Sequence, residues 1–163
     1  MKSVLLVRHA KSSWDNPGVP DFDRPLNDRG KQDAPLMAKR LMAKEISIDS
    51  FISSPAKRAR KTAALFATEF GIDKEQIILV PELYQASSTI FFSAIINAPP
   101  QANNIAIFAH NPSITEFANS ISSIRIDDMP TCSIFAVKAN INQWAEFENG
   151  EKEFWFFDYP KSI

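Results

Sequence analysis

Val4-Leu5-Leu6-Val7-Arg8-His9 near the start of the chain, and Ile105-Ala106-Ile107-Phe108-Ala109-His110 further along, decide the fold. Each run is apolar without alternation, the pattern of a strand buried on both faces of a parallel sheet. Each ends on one of the only two histidines in the sequence. Ligands of open α/β sheets collect in the crevice outside the strand carboxyl ends. Two imidazoles and the guanidinium of Arg8 at that position form a site for a phosphoryl group.

Outward from these runs, strands and helices alternate. Residues 3–8 are the first strand. Residues 11–26 are a polar loop with Trp14, Pro17, Gly18, Pro20 and Pro25, longer than a simple connector requires. Asn27 is placed to cap a helix in which Ala34, Met37, Ala38, Leu41 and Met42 recur at helical spacing. Pro35 inside that pattern marks either a kink or the true helix start. Phe51-Ile52 reads as a short strand, with Ser54 as N-cap and Pro55 at the first position of a second helix ending at Gly71. A third strand is expected at 77–80, a helix at 88–97 and the second histidine strand at 104–109. Asn111-Pro112 repeats the cap-then-proline pattern ahead of a helix to about Ile121. Residues 133–138 and 153–158 read as late strands of a hairpin, with Phe154, Trp155, Phe156 and Phe157 alternating between two covered faces. This order implies an α/β sandwich with a mainly parallel sheet, built as one domain over residues 1–163.

With 45% hydrophobic residues and 13 phenylalanines, the chain can build a substantial core. A formal net charge of −1 gives no global attraction to nucleic acid or an anionic membrane, so neither is expected as a partner. The four apolar residues after Met1-Lys2-Ser3 are too few for a signal-peptide core, and no run is long enough to span a bilayer. A single cysteine, Cys132, excludes an internal disulfide framework. A cytoplasmic monomer without a metal site is the expectation.

Histidine suits attack on phosphorus because much of it is unprotonated near neutral pH. A phosphorylated imidazole divides one displacement into two easier ones. The charge on the outer oxygens then calls for fixed cationic donors, and the planar fork of arginine binds two oxygens at once. His9 is the candidate nucleophile; Arg8, Arg58 and His110 are the candidate phosphoryl ligands. The bland readings are that Arg8 pairs with Asp21 or Asp23, and that Arg58 is a solvated charge among Lys57, Arg60 and Lys61.

Leu6-Val7-Arg8-His9-Ala10 resembles the opening motif of the histidine phosphatase superfamily. Ser53-Ser54-Pro55-Ala56-Lys57-Arg58, followed by Thr62-Ala63, resembles its second motif, and Ala109-His110-Asn111-Pro112 its third. Pro25-Leu26-Asn27-Asp28-Arg29-Gly30 resembles the proline-leucine-threonine-x-x-glycine segment of the same family. The four matches stand in the order of that family. The resemblance implies a three-layer α/β/α sandwich of the phosphoglycerate mutase-like kind, and a metal-independent phosphatase with no cofactor. It gives His9 the role of transient phosphohistidine, with Arg8, Arg58 and His110 holding the oxygens.

Departures narrow the branch. Ala10 replaces the usual glycine, and Lys61 stands where glutamine is common. The arginine-phenylalanine-serine-glycine-tryptophan stretch of the mutases is absent. Arg8-His9-Ala10-Lys11-Ser12, the short chain and His110-Asn111-Pro112 are similar to the small phosphohistidine phosphatases (SixA-type). The expected substrate is protein-borne phosphohistidine, with a small phosphorylated metabolite, or phosphate binding without turnover, as alternatives. Asn111 cannot serve as a general acid. Glu82 lies where the mutase-like branch places its acid and is a candidate substrate-binding residue; Glu116 is expected to face solvent. A nitrogen leaving group lessens the need for an acid. Lys138, not arginine, stands at the interval from Cys132 that cysteine-dependent phosphatases require, so Cys132 is read as a buried residue. Trp14 is placed to form a lid or wall beside the nucleophile.

Overall fold

The computed structural model describes residues 1–162. Its ten regular elements are β1 (Lys2–Arg8), α1 (Asp28–Ala43), β2 (Ser50–Ser53), α2 (Lys57–Glu69), β3 (Ile78–Leu79), α3 (Ser88–Ile96), β4 (Asn104–Ala109), α4 (Ser113–Ser120), β5 (Ile134–Ala139) and β6 (Lys152–Asp158). Short 3₁₀ turns lie between some of them, including Asp21–Asp23 and Pro81–Gln85.

The six strands form one sheet in the order β3-β2-β4-β1-β5-β6. The first four are mutually parallel, and β5 runs antiparallel to both β1 and β6. Successive side chains of β1 enter opposite cores, as the pleat requires. Val4 and Leu6 join Ile105, Ile107, Phe91, Ile95 and Phe117 on the α3 and α4 face. Leu5 and Val7 join Ala106, Phe108, Met37, Leu41, Ala63 and Phe66 on the α1 and α2 face. The result is a three-layer α/β/α sandwich. The uninterrupted apolar runs are explained by a central sheet with both faces covered.

Local signals hold where one residue satisfies one backbone group. Asn27 accepts a hydrogen bond from the Gly30 amide at 2.9 Å and caps α1. A Cβ on Gly30 would sit 2.2 Å from the Lys11 carbonyl oxygen, so only glycine lets the helix start pass this close to the loop after β1. Gly71, at φ +71°, closes α2, with Ile72 N–H donating to Ala67 and Gly71 N–H to Thr68. Pro35 does not start α1. It lies in the interior, and the carbonyl it leaves without a donor belongs to exposed Lys31, within reach of water.

Three local expectations are corrected. α2 begins at Lys57, not at Pro55, and Ser54 is not its cap. α4 begins at Ser113 behind Pro112, and Asn111 does not cap it: its Oδ1 accepts from the Thr115 hydroxyl at 2.6 Å, and its amide donates to Asp128 and the Met129 carbonyl. The aromatics of β6 do not alternate strictly. Opposite Ala136 and Val137, β6 places Phe156 and Phe154, so Trp155 is an extra residue in a bulge. Trp155 and Phe156 therefore pack on one core, and Phe154 and Phe157 on the other.

Candidate active site

Register brings the two histidines together. Arg8 pairs with Ala109 across the parallel β1–β4 ladder, so the next residues along, His9 and His110, leave the sheet side by side. Their ring centroids are 5.2 Å apart. β2 ends beside them, with the Ser54 amide donating to the Phe108 carbonyl at 2.9 Å. Arg58 follows from the first turn of α2. Thr62, one turn later, accepts from the Ala10 amide at 2.9 Å and donates to the Arg58 carbonyl at 2.7 Å. This buried hydroxyl ties the residue after His9 to the helix that carries Arg58. Ala10 is accommodated because its backbone is not left-handed; among the described residues other than glycine, only Glu45 and Cys132 have positive φ. Cys132 is buried and donates its amide to the carbonyls of Arg8 and His9, while burial pushes its thiol pKa up.

His9 Nδ1 lies 2.7 Å from the Ala10 carbonyl, which can only accept. The proton is therefore on Nδ1, and Nε2 keeps its lone pair. Burial above all lowers the His9 pKa to about 3 against the opposing Ala10 carbonyl hydrogen bond, with His110, Arg58 and Arg8 adding to the lowering. His110 Nε2 lies 2.8 Å from Ser54 Oγ, which also accepts from the Ala56 amide at 3.2 Å. The fully buried Ser54 hydroxyl has His110 Nε2 as its acceptor, so it donates there and leaves the His110 proton on Nδ1. Burial, then Arg58, lowers the His110 pKa to about 4.

Four buried side-chain nitrogen or oxygen atoms lack a partner among the described residues, and three are Arg8 Nε, Arg58 Nε and His110 Nδ1. Three nitrogens without a protein partner in one cluster are donors placed for an anionic ligand. Arg8 spends one N–H on the Met129 carbonyl at 2.8 Å. Burial, reinforced by Arg58, lowers its pKa against the pull of Asp128. A tetrahedral oxyanion supplies the acceptors and the negative charge that these groups lack.

The bland reading of Arg8 fails, since Asp21 pairs with Arg58 instead. Arg58 donates to the Asp21 carbonyl at 2.7 Å and to its carboxylate at 3.1 Å. The same carboxylate accepts from Tyr84 Oη at 2.6 Å and from Arg24 at 3.3 Å. Tyr84 lies edge-on to His110, with ring centroids 5.7 Å apart. Arg24 is buried, bonds Ser12 and stacks on Trp14 at 3.6 Å, so Trp14 sits on the loop as the outer cover of Arg24. Arg8, His9, Arg58 and His110 thus share one site. Glu82 does not join them: it is exposed and lines a groove with Ile52, Ile78, Val80 and Ile90. Glu116 is exposed. Asp21, expected as a partner of Arg8, enters the site through Arg58, and Tyr84, which no motif singled out, enters it beside His110.

The lowered histidine pKa values have a measurable consequence. The unfolded chain takes up protons below about pH 6.5, while the folded histidines resist until about pH 4 and 3. Their contribution to stability is therefore complete above about pH 6.5 and is lost progressively as pH falls to about 4 for His110 and about 3 for His9. Imidazole NMR titration is expected to show both rings neutral at pH 5; a midpoint near 6.5 for His9 would contradict the burial account.

No described helix is long and apolar enough to cross a membrane. The family model of the histidine phosphatase superfamily (branch 1) matches residues 4–87. An uncharacterized protein of Mycobacterium tuberculosis is 30% identical over 153 residues, covering 88% of this chain and 93% of that protein. A structure named as a SixA phosphohistidine phosphatase of Agrobacterium tumefaciens superposes with a TM-score of 0.80 at 26% identity over 98% of each chain. A SixA protein histidine phosphatase complexed with tungstate superposes with a TM-score of 0.80 at 21% identity over 97% of each chain. Matched by the family model over just over half its length, and built on the architecture of the SixA structures, the chain belongs to the histidine phosphatase superfamily and is a phosphatase.

Proposed function

We propose that the chain, acting as one histidine phosphatase domain, hydrolyses protein-borne phosphohistidine through a phosphohistidine intermediate on His9. The observation that carries this reading is the shared site of Arg8, His9, Arg58 and His110, with His9 Nε2 free and three buried donors unpartnered. Tungstate, a tetrahedral oxyanion, is bound by one of its SixA structural neighbours. In the first step His9 Nε2 gives its lone pair to phosphorus while the bond from phosphorus to the substrate nitrogen breaks. The electron pair of that bond stays on the substrate imidazole, which departs neutral because its other nitrogen already carries a proton. Arg8, Arg58 and His110 hold the three outer oxygens as charge spreads over them. In the second step water attacks phosphorus, the bond to Nε2 breaks, its pair returns to His9, and the water proton passes to solvent with inorganic phosphate.

A nitrogen leaving group fits the acid–base inventory. Glu82 lies outside the site, and Asn111 is turned to Asp128 and Met129. Among the four residues, Arg58 bonds a carboxylate, that of Asp21. Its pKa is lowered to about 2, chiefly by the Tyr84 hydrogen bond, so it stays ionised and cannot protonate an alkoxide. The test compares kcat/KM for a phosphohistidine protein with a panel of small phosphoesters, with and without chelator. Faster turnover of the phosphohistidine protein, undiminished by chelator, is expected. Preference for a small ester would favour a phosphomonoesterase, and binding without turnover of either class a phosphate-binding module.

A further inference from the structure

We propose that Asp21 is a specificity-determining residue whose carboxylate at the site mouth favours substrates with a cationic nitrogen leaving group over phosphoesters whose alcohol carries a carboxylate. The inference rests on the phosphatase site described above and deepens the phosphohistidine reading.

Asp21 is held in place from three sides. Its backbone carbonyl and one carboxylate oxygen take two of the five N–H groups of Arg58, Tyr84 adds a hydroxyl donor, and Arg24 approaches the other oxygen. The remaining edge of Arg58, including unpartnered Nε, is left for a phosphoryl oxygen. A phosphoryl group on that edge therefore shares one guanidinium with the carboxylate, which puts the two anions within a few ångströms of each other. The Asp21 side chain is still 52% exposed, so a group entering from solvent can reach it. Tyr84 joins it to the wall formed by His110.

The charge has a sign that substrates can read. Phosphohistidine protonated on its second nitrogen brings a cation to the mouth and is attracted. A phosphoester bearing a carboxylate brings a second anion and is repelled. At a few ångströms in a half-exposed setting, one unit of charge is worth about tenfold in rate for each substrate, in opposite directions. The positive charges of Arg24 and Arg58 weaken the field of Asp21 but do not alter the effect of removing one negative unit.

The test measures kcat/KM of the wild type, Asp21→Asn and Tyr84→Phe on three probes: a phosphohistidine peptide, phenyl phosphate and phosphoglycolate. Asp21→Asn is expected to shift the phosphohistidine-to-phosphoglycolate ratio toward phosphoglycolate by about a hundredfold, tenfold from each substrate, with the effect on phenyl phosphate between them. Tyr84→Phe removes the hydroxyl contact but keeps the charge, so its ratio is expected to stay near that of the wild type. An unchanged ratio in Asp21→Asn, or an equal shift in Tyr84→Phe, would overturn the proposal. Because the phenyl phosphate and phosphoglycolate rates are read separately, charge selection can stand even if the wild type rejects phosphohistidine, and the converse holds too.

Discussion

His9→Ala is expected to abolish turnover and phosphoenzyme formation together, lowering kcat by roughly 10⁴-fold or more, as when the nucleophile of a concerted constellation is removed. The size follows from the division of labour in the site. Arg8, Arg58 and His110 supply donors, and His9 Nε2 is the free lone pair that points to attack. Alanine leaves the donors in place, so the variant is expected to keep its affinity for phosphate or tungstate while losing chemistry. The substitution removes a buried neutral imidazole whose one hydrogen bond is to the adjacent Ala10 carbonyl, so cooperative unfolding is expected to persist. A variant that binds tungstate, unfolds cooperatively and does not turn over assigns the chemistry to His9. Turnover within tenfold of the wild type would remove His9 from that role.

Arg58→Lys is expected to lower kcat/KM by about 10²-fold or more, the range for loss of one preorganised donor at a developing oxyanion. Lysine keeps the charge, so only geometry changes. The Arg58 guanidinium does two jobs at once: two N–H groups lock onto Asp21, and the remaining edge with Nε is free for an oxygen. An ammonium is a point charge with no fork and cannot face Asp21 and the phosphoryl group in one plane. It would fall toward the Asp21 carboxylate, which is ionised to about pH 2, and leave the phosphoryl oxygens short of a partner. Loss in kcat as well as KM is the expected signature; a change in KM alone would make Arg58 a binding residue that does not favour the transition state.

Much of this architecture is legible in the sequence because it rests on short-range patterns. Val4–Val7 and Ile105–Ala109 carry no polar residue, which only a doubly covered strand tolerates, and the histidine after each marks the carboxyl edge. Asn27 and Gly71 act on groups within three to five residues, so their effects are local. Ser54 and Asn111 show where such reasoning stops. Both are good caps by type, yet Ser54 Oγ accepts from the Ala56 amide and also bonds distant His110, while Asn111 Oδ1, the atom that would cap, accepts from the Thr115 hydroxyl and its amide donates to Asp128. These side-chain partners cannot be read from the spacing of a cap and a proline. The acid candidate shows the same limit. In the 3₁₀ turn of Pro81–Gln85, residues two apart point about 120° from each other, so Tyr84 faces His110 while Glu82 faces outward. A shift of two positions is invisible to motif spacing. Asp21 lies in a 3₁₀ turn of the polar loop with no periodicity, and its role depends on Arg58 and Tyr84, which are 37 and 63 residues away.

The measurement that bears most directly on the central claim is rapid trapping of the enzyme during turnover of a labelled phosphodonor, followed by mapping of the modified nitrogen. The predicted product is an acid-labile, base-stable phosphoramidate on Nε2 of His9, absent from His9→Ala. Label on His110, on Cys132 or on a hydroxyl, or turnover with no covalent species on a timescale faster than kcat, would contradict it.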